Sequence, residues 1–213
     1  MTGPRIAVLD YGIGNLRSAE KALQHVGSDA RLVRDAAAVE AADAVVLPGV
    51  GAFGACARAL RESGLEEAAR GALEADVPFF GVCVGFQLLY DGSVESPDAL
   101  GLGVFAGTVR PLPPGVKHPQ MQWNTLLVRG DETPAALEGL AQSPWVYFVH
   151  SFAPPVGSET VAVCDYGGDV AALAARGTLW GAQFHPEKSG ATGLALLANF
   201  VRMAATSAPA RAS

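Results

Sequence analysis

The sequence predicts an α/β fold in three layers: a central, mostly parallel sheet flanked by helices, with antiparallel strands added to it. Two patterns carry this expectation. In the first half, short apolar runs alternate with amphipathic segments, the β-α-β order that a parallel sheet requires. In the second half, runs rich in Val, Phe and Trp follow one another with only turn residues between them, as in hairpins. Composition permits a packed core, since 50% of the 213 residues are hydrophobic and 17% are charged. That is too apolar for a disordered chain.

Taken in order, residues 6–9 read as a buried strand. Residues 16–26 read as a helix with Leu16, Ala19, Leu23 and Val26 on one face and Gly27 as its stop. Strands are expected at 30–33 and 44–47, the latter ended by Pro48-Gly49, then helices at 52–60 and 65–74. A strand at 79–82 leads into a helix at 84–90. The later strands are expected at 104–109, 125–128, 146–149, 160–163, 170–174 and 179–184, with Asp165-Tyr166-Gly167-Gly168-Asp169 as a hairpin turn. A last helix is expected at 193–203. No repeat or linker divides the chain, so one domain is expected over 1–204, with a flexible Ala/Ser/Pro-rich tail over 205–213.

Charge and cysteine usage exclude several classes. A net charge of -6 argues against a nucleic-acid or anionic-membrane surface. Cys56, Cys83 and Cys164 are odd in number, widely spaced and form no CxxC pair. A disulfide framework or zinc ribbon is therefore not expected, and a reduced compartment is. The first apolar run is too short for a signal-peptide core, and no stretch reaches the length of a membrane span. The expectation is a soluble, cytoplasmic protein.

The chemistry begins at Gly81-Val82-Cys83-Val84-Gly85, with a strand before it and a helix after it. A nucleophile on such a turn is lifted clear of the sheet, and glycines two before and two after relieve the crowding. The helix that follows aims backbone N–H groups and a partial positive charge at the sulfur. The alternative is that Cys83 is a small buried hydrophobe. Of the four histidines, His25 suits a helix end, His118 lies in a loop, and His150 ends a strand and is either structural or site-lining. His185 stands in Phe184-His185-Pro186-Glu187. Extended backbone there would put Glu187 on the same side as His185, able to accept from one ring nitrogen while the other faces a thiol. That is the nucleophile, base and orienting-acid arrangement of a triad. Pro48-Gly49-Val50-Gly51 closes a strand and, with the Val84 N–H, offers backbone donors for an oxyanion hole. Its alternative is an ordinary β-to-α turn. Gly12-Ile13-Gly14 resembles a dinucleotide fingerprint but has Arg17 where the third glycine belongs, so no such cofactor site is expected. No phosphate loop and no further ligands at metal spacing accompany His185 and Glu187, so neither cofactor nor metal is expected.

These motifs together resemble the class I glutamine amidotransferases. Asp10-Tyr11-Gly12-Ile13-Gly14-Asn15-Leu16-Arg17-Ser18, Met121 with Trp123-Asn124, Tyr147-Phe148-Val149-His150-Ser151-Phe152 and Lys188-Ser189-Gly190 narrow the likeness to the glutaminase subunits of imidazole glycerol phosphate synthase. The resemblance spans residues 5–203. It implies the three-layer fold of that class, with Cys83 as nucleophile, His185 as base and Glu187 as its partner. Gln87, Glu95 and Ser151 would bind glutamine, Gly49, Val50, Gly51 and Val84 would form the oxyanion hole, and Asn15, Trp123 and Lys188 would line the interface and couple the two sites. The implied reaction is hydrolysis of glutamine to glutamate and ammonia. The ammonia would pass to a (β/α)₈-barrel cyclase partner in a heterodimer of histidine biosynthesis, with low basal activity and the Gly49-Val50-Gly51 turn as the element that switches. Val84 and Phe86 replace the usual Leu and Met, and Gln120 and Gln122 replace a usual His and Gly, which bears on the interface loop. A glutaminase serving another synthase, such as one making anthranilate, an unrelated cysteine hydrolase and a non-catalytic binding module are the alternatives.

Overall fold

The computed structural model describes residues 3–207. Its elements in chain order are β1 (Arg5–Leu9), α1 (Leu16–His25), β2 (Asp29–Val33), α2 (Ala36–Glu40), β3 (Ala44–Gly49), α3 (Phe53–Glu62), α4 (Leu65–Glu74), β4 (Phe79–Cys83) and α5 (Val84–Gln87). Then come β5 (Gly92–Ser93), β6 (Thr108–Pro111), β7 (Gln120–Thr125), β8 (Leu127–Val128), β9 (Trp145–His150), β10 (Phe152–Ala153), β11 (Thr160–Asp165), β12 (Asp169–Arg176), β13 (Leu179–Ala182) and α6 (Gly190–Ser207).

Among the described residues, the main sheet has eight strands in the order β2-β1-β3-β4-β13-β12-β11-β8. From β2 to β13 the neighbours are parallel, and from β13 to β8 they are antiparallel. The chain steps outward from β1 to β2, then reverses to β3 and β4. Right-handed crossovers then put α1 on one face and α2 to α4 on the other. The contacts agree: α1 packs on α6, while α2 and α3 pack on α4. Strands β3, β4 and β13 are covered on both faces and buried along their whole length. They therefore read as unbroken apolar runs rather than alternating ones. Phe80, Trp180 and Phe200 meet between sheet and α6, with ring centroids 5.3 to 6.3 Å apart. Among the described residues no helix is long and apolar enough to cross a membrane.

Several expectations are corrected. Helix α2 was not expected: Asp35 caps it, its carboxylate accepting from Ala38 N–H at 2.9 Å. Strand β3 does not stop before Pro48 but runs through Gly49, which lies opposite Cys83. The helix after Cys83 is a single turn ending at Gln87. The strand expected at 104–109 begins only at Thr108, because Gly107 takes φ +120° and Phe105 instead packs against Tyr90. The strand expected at 125–128 is two strands, β7 and β8, and β7 pairs with β9 in a ribbon outside the main sheet. β7 is mostly exposed, so it carries no buried apolar run to announce it. The last helix starts at Gly190 and continues to Ser207, taking in the first residues of the expected tail; 208–213 lie outside the described residues.

Candidate active site

The carboxyl ends of β3, β4 and β13 meet at one edge of the sheet, where open α/β sheets place their ligands. A pocket of about 400 Å³ opens there, lined by Cys83, Val84 and His185, by Val50 and Gly51, and by His150, Ser151 and Phe152.

Cys83 stands between β4 and α5 with φ 57° and ψ -113°. A non-glycine residue there is strained by about 1–3 kcal/mol, and the surroundings must enforce it. They do so by close packing. A Cβ on Gly81 would sit 2.8 Å from the Gly85 carbonyl oxygen, and one on Gly85 would run into the carbonyl of Leu47. Gly49 packs behind the same elbow, where a Cβ would lie 2.6 Å from Gly85 N. Glycine at 49 thus serves the close approach of β3 to the elbow, while Val50, Gly51 and Val84 reach the lining.

His185 and Glu187 are both buried, and His185 Nδ1 lies 2.8 Å from Glu187 Oε1. The backbone route differs from the expected one. His185 is extended, as a residue before proline should be, but Pro186–Lys188 forms a 3₁₀ turn. The bond is made across that turn rather than along a strand. With Nδ1 occupied by Glu187, Nε2 is the free nitrogen; it is buried and without a hydrogen-bond partner. Burial alone would push the His185 pKa down. The Cys83 sulfur and then the Glu187 carboxylate more than reverse this, pushing it up to about 10. Both neighbours thus favour the imidazolium form of His185.

Gln87 lies in the lining, and its amide nitrogen donates to Phe152 O at 2.9 Å and to Gln183 Oε1 at 3.1 Å. Gln183 in turn directs its own Nε2 at Cys83 Sγ, 3.9 Å away. Gln183 is fully buried and sequence reasoning missed it. Its position two before His185, on the same side of the chain, was the available signal. Glu95 lines the pocket and also caps α3, one carboxylate oxygen accepting from Phe53 N–H at 2.8 Å. Ser151 lines the pocket and its carbonyl is taken by Leu112 N–H.

His150 proves to be a lining residue. Nδ1 bonds Phe152 O at 2.9 Å and Nε2 is buried without a partner. Burial lowers its pKa to about 4, against the Phe152 bond and with help from the charge of His185, so it is neutral. Lys188 is exposed at the rim. Asn15 heads α1, where its side-chain oxygen accepts from Ser18 Oγ, and α1 packs on the 3₁₀ turn that carries Lys188. Trp123 is 47% exposed on β7, edge-to-face with Tyr147. Among the described residues no group of three or more His, Cys, Asp or Glu could hold a metal ion.

The sequence matches the family Glutamine amidotransferase class-I over residues 7–204. It is 48% identical to the imidazole glycerol phosphate synthase subunit HisH of Deinococcus radiodurans, covering 93% of this chain and 94% of that protein. With the subunit of the same name from Rhodospirillum rubrum it shares 47%, covering 94% and 99%. Among solved structures, one described as a glutamine amidotransferase aligns with a TM-score of 0.74 at 26% identity, covering 93% of this chain and 98% of that one. PurLQS from Thermotoga maritima aligns at 0.74 with 20% identity, covering 94% and 98%, a likeness of fold. The chain therefore belongs to the class-I glutamine amidotransferases, in the family of HisH subunits of imidazole glycerol phosphate synthase.

Proposed function

We propose that Cys83, His185 and Glu187 carry out the glutaminase reaction of an imidazole glycerol phosphate synthase in histidine biosynthesis. The observation that carries this is the buried His185–Glu187 bond of 2.8 Å, which leaves Nε2 to face the elbow sulfur in the pocket lining. The Cys83 thiolate attacks the side-chain carbonyl carbon of glutamine, and the developing oxyanion is met by the Val84 N–H and the Val50-Gly51 turn. His185 Nε2–H protonates the departing nitrogen, so the C–N bond breaks and ammonia leaves a glutamyl thioester. Water then gives a proton to His185 and its oxygen to the acyl carbon, releasing glutamate and restoring the thiolate–imidazolium pair. The Glu187 carboxylate fixes the ring and offsets its charge throughout. Glu95 and the Ser151 backbone are placed to hold the α-amino and α-carboxylate end, and Gln87 with Gln183 orders the wall behind the reacting centre.

The ammonia passes to a barrel cyclase subunit docked over the pocket mouth. The ribbon of β7 and β9 supports this. Its register puts Met121, Trp123, Tyr147, Val149 and Trp145 on one face. Of these, Met121, Trp123 and Trp145 are 61%, 47% and 57% exposed. An apolar face of that kind marks a protein contact, and it begins at the pocket rim with Val149 and Pro119. Lys188 lines the pocket, Asn15 heads the helix that packs on its turn, and the Gly49-Val50-Gly51 turn is the element that would switch with partner occupancy. The test is glutamate release by the chain alone and with the cyclase subunit bearing a substrate analogue, beside Cys83→Ala. Activation by the partner that vanishes in Cys83→Ala is expected. Activity indifferent to the partner would refute the coupling, and activity surviving in Cys83→Ala would refute the triad.

A further inference from the structure

The oxyanion turn is held by two side chains that do not line the pocket. Tyr11, 5% exposed just past β1, donates its O–H to the carbonyl of Pro48 at 2.5 Å. Cys56, fully buried in α3, donates its S–H to the carbonyl of Val50 at 3.2 Å. The two bonds fall on the carbonyls either side of Gly49. Neither side chain takes part in the chemistry described above.

Their effect follows from peptide geometry. In a trans peptide the C=O and the next N–H point in opposite directions. A Pro48 carbonyl tied to Tyr11 fixes the plane that carries the Gly49 N–H. A Val50 carbonyl tied to Cys56 fixes the plane that carries the Gly51 N–H, and Gly51 is a lining residue with φ +89°. Glycine imposes no preference of its own at either position, so the planes must be set from outside. Burial pushes the Tyr11 phenol well above its ordinary value and the Cys56 thiol up, which favours the protonated, donating form of each.

We infer that Tyr11 and Cys56 are positioning residues for the oxyanion turn: Tyr11 anchors its entry at the Pro48 carbonyl, and Cys56 holds the Val50 carbonyl inward so that the Gly51 N–H is presented to the substrate oxygen. The inference rests on the glutaminase reading of the pocket. It assigns a role to a buried cysteine and to the tyrosine of the opening motif without giving either any contact with substrate. A misaligned donor weakens transition-state binding more than ground-state binding, so the loss should fall on kcat.

The experiment compares Tyr11→Phe, Cys56→Ala and Cys56→Ser with the wild type in the complex with the cyclase subunit, measuring kcat, KM and deuterium exchange over 48–52. Tyr11→Phe and Cys56→Ala are expected to lower kcat by about 10- to 100-fold, short of the 10²–10³ that follows loss of a whole donor. KM should change less than about threefold. Cys56→Ser, whose O–H can donate to the same carbonyl, should recover most of kcat. Exchange at the turn should quicken in the first two variants and not in the third. Equal losses in Cys56→Ser and Cys56→Ala, a change confined to KM, or unchanged rates would overturn the inference. An inactive wild-type complex would refute the glutaminase reading, and the exchange pattern would still decide whether the two side chains pin the turn: unchanged exchange in Tyr11→Phe and Cys56→Ala overturns it.

Discussion

His185 is pulled three ways, and the balance decides what it can do. Burial favours the neutral ring, while the Cys83 sulfur on one side and the Glu187 carboxylate on the other favour the cation, and together they prevail. A cationic ring can donate to a departing amine at once, without first collecting a proton from solvent. Glu187→Gln keeps the shape and removes the charge, so it should lower the His185 titration midpoint from about 10, as an NMR titration of the ring would show. Loss of that support for the imidazolium should cost about 10²–10⁴ in kcat. A midpoint that stays put would mean that Glu187 contributes alignment alone. At this scale the sequence was legible where chemistry needs a residue type in a fixed setting, as at Cys83 between two glycines and His185 before Pro186. It was silent on the Tyr11–Cys56 pair, left His150 open between a structural and a site-lining role, and offered for Gln183 only its spacing from His185, because their roles depend on which strands become neighbours. Gln183 reaches Gln87 across 96 positions of chain, and no local pattern reports that.

At the scale of elements, the same residue type has opposite consequences in two places. Gly85 lies where α5 touches the end of β3, and a Cβ there would overlap the Leu47 carbonyl, a backbone group of a central strand that cannot step aside. Gly85→Ala should destabilise by at least about 1–3 kcal/mol, as overpacking does, and should slow labelling of Cys83 by disturbing its elbow. Gly71 lies inside α4, and a Cβ added there would meet open space, with nothing within 4 Å. Gly71→Ala should stabilise by about 0.5–1 kcal/mol, through helix propensity alone. Urea unfolding of the two variants checks both signs, and a destabilised Gly71→Ala would show that α4 is limited by packing rather than propensity. The elements themselves were legible in proportion to burial. The central strands are apolar throughout and were anticipated within a residue or two. The strand β7 keeps its apolar Met121 and Trp123 exposed and the five-residue α2 buries only Val39, so neither carries a buried apolar run to announce it. The 3₁₀ turn at Pro186–Lys188 was read as extended chain, because a proline fixes its own φ but leaves the next residue free.

At the scale of the whole molecule, two histidines in one pocket shape how stability depends on pH, and they act from opposite sides. His150 is kept neutral, its pKa lowered to about 4 by burial, with the charge of His185 assisting against the Phe152 bond. The unfolded chain therefore binds a proton there that the folded one refuses. Stability from His150 is full above the unfolded value of about 6.5 and drains away as pH falls towards 4. His185 is raised to about 10, so its contribution is full below about 6.5 and is lost as pH rises through 10. The two together place the maximum contribution near pH 6.5. One refused proton corresponds to a slope of about 1.4 kcal/mol per pH unit, and the His150 shift to on the order of 3 kcal/mol in all. Carboxylates add a slope of their own at the acid end, so the informative quantity is a difference between proteins. Urea unfolding of the wild type and of His150→Asn at half-unit steps from pH 4 to 7 would isolate it. The variant should be less stable at pH 7 yet lose less stability on the way down, with its slope between pH 4.5 and 6 shallower by about one proton. Parallel curves would mean that His150 binds its proton equally in both states, and that its buried, unpartnered Nε2 is reached by water in solution.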